Sequence, residues 1–356
     1  MTSTESAAEN TEASKNSATP TETKVENKTT TQSTRTRPSV HKSNYENDTV
    51  YLYQFVRCPV VPSPSPFCLK VETWLRMTGV KYENVDHRLK FKSKKGQLPF
   101  VELNGTEIAD SDIIISELSK KFDKDLDADL SVDQKNVSHA FSSMLNNHTS
   151  WVMRWWRYNH PAQFLKIAQL DVKRALNSKL PKGILQFFFK MSFRSNVKKA
   201  IGHGLGRHSN EEILQFGKDD LKALSEYLQD KPFFFGDEPH LLDCVAFAHL
   251  CQFYYVSFGD IKEYMDANCT NLVSFLERMK ERYWQDWEEM SKSLELNTHL
   301  PKKKEEEEKE NKEKVAPEDN DKEEKKDSEE KEEDKLKDNK DEISEEKTKE
   351  ESEKKE

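Results

Sequence analysis

The sequence has no apolar run that approaches the ~18–20 residues needed to cross a bilayer. Its richest apolar stretch, residues 184–193, is short and is interrupted by Gln186, Lys190 and Ser192. The N-terminus is rich in Ser, Thr and Glu and lacks the apolar core of a secretory signal. We therefore expect a soluble or peripheral protein of the cytoplasm with no membrane span.

Cysteine is also scarce, with five residues widely scattered along 356. An odd and scattered set does not make a disulfide framework, and no CxxC pair or His/Cys cluster has the spacing of a zinc site. We expect reduced thiols and no metal. The five are Cys58, Cys68, Cys244, Cys251 and Cys269.

Apolar residues make up 34% of the chain, which is low for a globular protein, so part of the sequence is not expected to fold. Residues 301–356 hold 17 of the 56 basic and 26 of the 65 acidic residues, which leaves 39 of each sign elsewhere and the whole net charge of −9 in this tail. The balanced body therefore has no overall attraction for nucleic acid. We predict disordered tails at residues 1–47, rich in Ser and Thr, and 299–356, rich in Lys and Glu.

Residues 48–124 alternate between strand and helix signals. Asn104-Gly105 is the strongest signal for a two-residue hairpin turn, and Gly79 is a candidate helix C-cap. The order β-α-β followed by β-β-α predicts a thioredoxin-like domain. The predicted strands are residues 49–56, 82–86, 100–103 and 106–109, and the predicted helices are residues 67–78 and 111–122.

Residues 125–298 have a helical pattern almost throughout, which predicts an all-helical second domain of five to seven helices. One of these helices carries a cluster of aromatic residues, which is typical of an interface core more than of a ligand cage. The aromatic residues are Trp151, Trp155, Trp156 and Tyr158, and the breaks between helices fall at His160-Pro161, Pro181, residues 202–206 and residues 235–239.

Basic residues surround the apolar segment within residues 182–208. We favour a helix that covers the core and keeps a solvated basic face. The alternative is a basic amphipathic surface that makes peripheral contact with an anionic membrane.

The loop after the first strand ends in Ser65-Pro66-Phe67-Cys68, at the start of the first helix. In thioredoxin-like folds this is the reactive position, because free N–H groups and the helix dipole stabilise a thiolate there. The segment resembles the CPYC of glutaredoxins and the CPF of omega-like transferases, with Ser65 in place of the nucleophilic cysteine. Ser65 is the candidate catalytic residue, although capping of the helix is the interpretation we favour. Cys58, earlier in the loop, is a second candidate as an exposed thiol.

Residues 231–243 read KPFFFGDEPHLLD and are similar to the transferase-fold segment that begins the central helix. In that segment a Ser or Thr cap and an Asp three residues later form a buried box. His240 occupies the cap position here, while Asp243 can still accept backbone N–H bonds. The motif is structural, and its other members are Gly236, Asp237 and Pro239.

SPFCLKVETWLRMTGVKYE, GQLPFVELNG followed by ADSDII, IGHGLGRHS and KPFFFGDEPHLLD together resemble the failed axon connections family, which is related to metaxins. The resemblance implies a glutathione-transferase-like fold, with the α/β thioredoxin-like domain followed by the all-α domain. It also implies a cis Leu98-Pro99 bond that exposes a backbone to pair with glutathione, and Asp110-Ser111 holding the γ-glutamyl end at a helix N-terminus. Asp110 and Ser111 are equally suited to act as an N-cap of this helix in the absence of a ligand.

Two classes of function follow from this resemblance. The first is an interaction or scaffold protein in axon development or cell signalling, with protein partners or a homodimer. The second is a transferase that conjugates glutathione, as cosubstrate, to a small electrophile. The family is not credited with a demonstrated catalytic role, and serine at position 65 also favours the first.

Overall fold

This computed structural model describes residues 40–87 and 90–301. The tails predicted at 1–47 and 299–356 lie largely outside the described residues. The boundary between two domains at residues 124 and 125 stays a prediction.

Residues 40–47, which we had assigned to the N-terminal tail, lie along the sheet. The Glu102 carboxylate accepts the backbone N–H groups of His41 and Lys42 at 2.6 and 3.0 Å. The ring of His41 stacks on Phe91 with 4.1 Å between centroids. The folded part therefore begins before residue 48.

The first half of the described chain forms the strands β1 (Val50–Tyr53), β2 (Tyr82–Asn84), β3 (Phe100–Leu103) and β4 (Thr106–Ala109) and the helices α1 (Pro66–Thr78) and α2 (Ser111–Phe122). The sheet order is β2-β1-β3-β4. β1 pairs parallel with β2, and the other two pairings are antiparallel. Asn104 and Gly105 close the last hairpin with φ of 49° and 79°, as a type I′ turn requires. The predicted order of strands and helices is confirmed.

The remaining described residues form eleven α-helices, more than the five to seven predicted. Several are only five to eight residues long, and such short helices carry little periodic signal. A π-helical turn, Leu145–Thr149, joins α3 directly to α4. The helices are α3 (Val132–Met144), α4 (Ser150–Asn159), α5 (Pro161–Ile167), α6 (Val172–Leu176), α7 (Lys182–Ser195), α8 (Val197–His203), α9 (Asn210–Leu228), α10 (Leu241–Tyr254), α11 (Ile261–Asn268), α12 (Thr270–Tyr283) and α13 (Trp287–Ser293).

The central helix, α10, is buried on all sides from Leu242 to Phe253. Its Cys244 packs into the core formed by the sheet, α1 and α2. Conversely, Cys58 and Leu69 from the first half pack into the core of the helical half. The two halves therefore share apolar packing across their contact.

A buried ion pair joins the loop after β1 to α1. The side chains of Arg57 and Glu72 have no solvent exposure and make two parallel hydrogen bonds of 2.6 Å. Gln54, Tyr82 and Asn84 also donate to the Glu72 carboxylate, at 2.7 to 3.2 Å. Burial alone would raise the pKa of Glu72, but the charge and hydrogen bonds of Arg57 hold it well below its usual range. Glu72 therefore stays ionised inside the protein.

The chain after α13 returns to the sheet as a segment that we call the C-terminal strap, residues 294–299. The Leu296 carbonyl accepts a hydrogen bond of 2.6 Å from Arg57. Asn297 exchanges two side-chain bonds with the backbone of Asn84, of 2.7 and 2.9 Å. The strap thus covers the outer edge of β2 and adds a hydrogen-bond acceptor for Arg57 of the buried ion pair.

The segment before α10 adopts the structural motif that the sequence indicates. The buried Asp243 carboxylate accepts the backbone N–H groups of Phe234 and His240 at 2.9 and 2.8 Å. Burial raises the pKa of this carboxyl to about 6, although these donors oppose the shift. Gly236 closes the preceding turn with a φ of 134°, and Pro239 is buried.

Asp243→Asn is expected to lower the free energy of unfolding by about 1–2 kcal/mol, because an amide keeps one acceptor oxygen and leaves a buried N–H without a partner. Urea unfolding followed by circular dichroism measures the difference. Asp237→Asn is the matched control, since Asp237 is exposed in the same motif, and it should leave stability unchanged. Equal stability of the two variants would contradict the structural role of Asp243.

Candidate functional site

Strand register brings the three predicted parts of the site to one edge of the sheet. The end of β1, the start of β3 and the end of β4 lie side by side, with Tyr53 opposite Phe100 and Phe100 opposite Ala109. The segments that continue from these ends are the loop to α1, the Leu98–Pro99 bond and the start of α2. The fold therefore places these segments next to one another.

Ser65 lies at the N-cap of α1. Its backbone is extended, with φ of −112°, and its hydroxyl oxygen accepts the backbone N–H of Cys68 at 3.4 Å. Pro66 occupies the first turn, where the missing N–H costs nothing. The capping role that we favoured is thus present. Ser65 is half-buried, and its side chain also hydrogen-bonds the Cys68 side chain.

The loop before Ser65 is fixed by its own Arg57 and by two side chains of the helical half. Such anchoring holds the start of α1 in one position without a bound ligand. Three consecutive loop carbonyls accept hydrogen bonds: Pro62 from Arg57 at 3.3 Å, Ser63 from Gln252 at 3.0 Å and Pro64 from Arg157 at 2.7 Å.

The expectation that Cys58 is an exposed thiol is wrong. Its side chain is fully buried in the helical core, and burial raises its pKa to about 12. Burial also raises the pKa of Cys68 to about 11, despite a hydrogen bond from Ser65 that opposes the shift. All five cysteines of the chain are buried free thiols. A buried neutral thiol is a poor nucleophile.

The Leu98–Pro99 peptide is cis, as the resemblance implies. Asp110 caps α2: its carboxylate accepts the backbone N–H groups of Asp112 and Ile113 at 3.1 and 3.5 Å. Its φ of 91° and ψ of 128° are unusual for a residue with a side chain, and such strained positions concentrate at functional sites. Asp110 is exposed, whereas Ser111 is buried in the first turn.

Sequence reasoning missed a buried lysine beside this helix start. The Lys70 side chain on α1 has no solvent exposure, and its Nζ lies 2.7 Å from the Asp112 carboxylate and 3.4 Å from the Asn146 amide oxygen. Asn146 lies in the π-helical turn, a type of irregularity that is frequent at functional sites. These contacts connect α1, α2 and the helical half next to Asp110.

A second group that we missed surrounds Phe67, one residue before Cys68. The guanidinium of Arg154 lies 4.9 Å from the centre of the Phe67 ring and 5.0 Å from that of Trp151. His249 packs edge-on against Phe67 at 5.7 Å, and burial lowers its pKa to about 3, so its ring is neutral. Trp155 and Trp156 are buried, in agreement with a core role.

Two absences are findings for the described part of the chain. Residues 40–87 and 90–301 contain no group of three His, Cys, Asp or Glu side chains that could hold a metal ion. Within the same ranges, none of the helices has the length and apolar content needed to pass through a membrane.

Known families match both halves of the chain. The glutathione S-transferase N-terminal domain matches residues 66–163, and the glutathione S-transferase C-terminal domain matches residues 217–279. Failed axon connections from Drosophila melanogaster is 54% identical over 271 residues, which cover 74% of this chain and 65% of that protein. The chain belongs to the failed axon connections family of glutathione-transferase-like proteins. It spans slightly less than two thirds of its Drosophila relative.

Two further relatives extend the range of the similarity. The isoprene-epoxide–glutathione S-transferase of Rhodococcus sp. (strain AD45) is 30% identical over 245 residues, covering 66% of this chain and 99% of the enzyme. Metaxin-2 from Mus musculus is 23% identical over 262 residues, covering 66% of this chain and 89% of that protein. The family thus shares its fold with proteins named as a transferase and with metaxins.

In this member of the failed axon connections family, the end of β1, Pro99 before β3 and Asp110 after β4 adjoin one edge of the sheet, whereas Cys58 lies in the core. The site also gains two cationic side chains, Lys70 and Arg154, one on each half of the chain. Neither has a sequence signal of its own, because a lysine or arginine on a helix usually faces water.

Proposed function

We propose that this chain is an interaction protein that keeps the transferase fold for binding and not for catalysis. One observation carries the proposal: the position where related folds hold a reactive thiol is Ser65, whose oxygen caps α1. The neighbouring thiols of Cys58 and Cys68 are buried and have raised pKa values, so the loop supplies no thiolate. Binding of protein partners, unlike thiolate chemistry, requires no side chain that this loop lacks.

The proposal includes a cytoplasmic location. It also includes a role in forming axon connections or in cell signalling, which follows the name of the Drosophila relative.

A second candidate is a glutathione-dependent transferase. The strained Asp110 at the start of α2 favours it, since its carboxylate can attract an ammonium while helix N–H groups attract a carboxylate. The γ-glutamyl end of glutathione carries both groups. In this candidate Ser65 would orient the thiolate, the backbone of Leu98 before Pro99 would pair with the cysteinyl unit, and Ser111 would hold the terminal carboxylate. The name of the Rhodococcus relative lends support.

A conjugation assay distinguishes the two functions. The full chain is mixed with millimolar glutathione and 1-chloro-2,4-dinitrobenzene, and the absorbance of the conjugate is followed over time. We expect no rate above that of the blank without protein, because the Ser65 hydroxyl caps α1 and is engaged by Cys68 instead of activating the thiol of glutathione. A rate above the blank that falls with Ser65→Ala would contradict the proposal and support the transferase.

Calorimetric titration with glutathione tests binding apart from turnover. Asp110→Asn is the informative variant, because asparagine keeps the N-cap and removes the charge. Saturable binding that Asp110→Asn and Ser111→Ala abolish would show that the site accepts glutathione as a ligand. Absence of heat at millimolar glutathione would eliminate the second candidate.

A further inference from the structure

Helix α7 has two apolar faces. Leu185 is buried on one face, and Phe189 and Phe193 pack there against the core. The opposite face carries Ile184, Phe187, Phe188 and Met191, which fall within an arc of about 100° at 3.6 residues per turn. These four side chains, which we call the aromatic ridge, are 45–63% exposed.

The exposure of apolar side chains is concentrated here. Ten large apolar residues are exposed in the described part of the chain, and seven of them lie within residues 176–201. The helix covers the core as favoured from the sequence, but it also exposes Phe187 and Phe188, which that interpretation did not foresee. A contiguous exposed patch of this kind marks an interaction surface, because water contact with such an area is unfavourable.

The segment of chain that contains the ridge carries charge of a single sign. Residues 172–210 contain nine Lys and Arg and no Asp or Glu, in a chain with 65 acidic residues. Five of the basic residues belong to α7 and α8, and none of the five forms an ion pair within the described residues. They are Lys182, Lys190, Arg194, Lys198 and Lys199.

A cleft beside the ridge has matching chemistry. It runs between α5 and α7 and is lined by Lys166, Lys182 and Lys190, with Asp171 as its acidic member. The Asp171 carboxylate is already engaged, since it caps α6 through the backbone N–H groups of the next turn. The cleft therefore presents mainly cationic groups next to the apolar ridge.

We propose that α7 docks on the surface of an anionic lipid bilayer. The aromatic ridge enters the boundary between headgroups and acyl chains, and the surrounding lysines and arginines meet the negative headgroups. This combination of an apolar stripe with flanking basic residues is the physical basis of interfacial helix binding. A bilayer satisfies both features, whereas the acidic tail of this chain, residues 301–356, matches only the charge because it has few large apolar residues.

Vesicle flotation with the full chain tests the proposal. Wild-type protein is expected to float with vesicles of phosphatidylcholine and phosphatidylserine and to remain unbound with phosphatidylcholine alone. Phe187→Ser/Phe188→Ser should lower the partition coefficient by more than about tenfold, because it removes two large apolar side chains from the interface. Lys190→Glu/Arg194→Glu should lower it by about 25-fold or more, at about fivefold per lost charge.

Matched variants away from α7 provide the controls. Val132→Ser and Lys92→Glu/Lys95→Glu change exposed residues of the same types and should bind vesicles as the wild type does. All variants should keep the wild-type melting temperature, since the changed side chains are exposed or, for Lys190, partly exposed. Equal flotation with both lipid mixtures, or wild-type binding by the Phe187→Ser/Phe188→Ser variant, would overturn the proposal. Dimerisation of the wild type, measured by sedimentation and abolished in the Phe187→Ser/Phe188→Ser variant, would also overturn it.

Discussion

Replacing Glu72 with glutamine is expected to lower the free energy of unfolding by about 3–5 kcal/mol, the cost of breaking a fully buried ion pair by removing one partner. The Arg57 charge would remain inside the protein without a counter-charge. Gln54, Tyr82 and Asn84 would share a neutral amide that has one acceptor oxygen in place of two. Urea unfolding of the full chain, followed by tryptophan fluorescence, measures the loss.

An exposed ion pair on α11 gives the matched control. Asp266 contacts Lys262 at 2.7 Å with both side chains almost half exposed, and Asp266→Asn should cause no measurable change. The double variant Arg57→Met/Glu72→Leu should cost less than the sum of its two single changes, because it leaves no unpaired charge. If the double variant lost as much stability as the sum of the two single variants, the account of the buried pair would be refuted.

The cost of Glu72→Gln should also depend on pH. The pKa of Glu72 lies below its ordinary value of 4.5 in the folded protein. The ionised carboxylate therefore contributes stability that is complete above pH 4.5 and is lost as the pH falls further. The difference in unfolding free energy between wild type and variant should be constant near neutral pH and shrink in acid. A difference that grows as the pH falls would contradict the assignment.

Ser65→Cys is expected to create a reactive thiol where the wild type has none. The new thiol would lie at the N-cap of α1, where free N–H groups and the helix dipole lower a thiol pKa below its usual value of about 8.5. Its thiolate should attack the disulfide of oxidised glutathione, form a protein–glutathione disulfide and release one reduced glutathione. We expect modification about 100-fold or more faster than for the five buried cysteines of the wild type.

Mass spectrometry of the intact protein follows the addition of one glutathionyl group. Ser209→Cys is the control, because Ser209 is also an N-cap whose side chain accepts a backbone N–H, at the exposed start of α9, and lies outside the site. If the sheet edge recognises glutathione, the rate of modification of Ser65→Cys should saturate as the concentration of oxidised glutathione rises. The rate for Ser209→Cys should rise linearly. Identical kinetics for the two variants would show that the start of a helix alone accounts for the reactivity, without recognition of glutathione at the sheet edge.

Features specified by neighbouring residues could be predicted from the sequence. Asn104 and Gly105 supply the two positive φ angles of the hairpin, and Ser65 and Gly79 cap the two ends of α1. Each of these signals acts over a few residues, so no knowledge of the tertiary structure is needed. The same holds for the breaks at Pro161 and Pro181, which begin or precede helices.

Features that depend on distant partners could not be predicted. Lys70 meets Asp112 only after the sheet has formed, and Arg57 meets the Leu296 carbonyl across 239 positions of sequence. In the sequence these residues resemble ordinary exposed charges on helices and loops. The burial of Cys58 has the same origin, because loops usually run over the surface and this one is covered by the helical half. The two faces of α7 are both apolar, so periodicity alone does not show which one faces water.

The C-terminal strap has a consequence for how the chain folds during synthesis. The sheet and α1 leave the ribosome long before Leu296 and Asn297, which provide hydrogen-bond partners for Arg57 and Asn84. Until then the outer edge of β2 has backbone groups free to pair with another strand, a known route to aggregation. The thioredoxin-like half of a nascent chain is therefore unfinished until the helical half has been made, and the strap, residues 294–299, closes the first-made sheet.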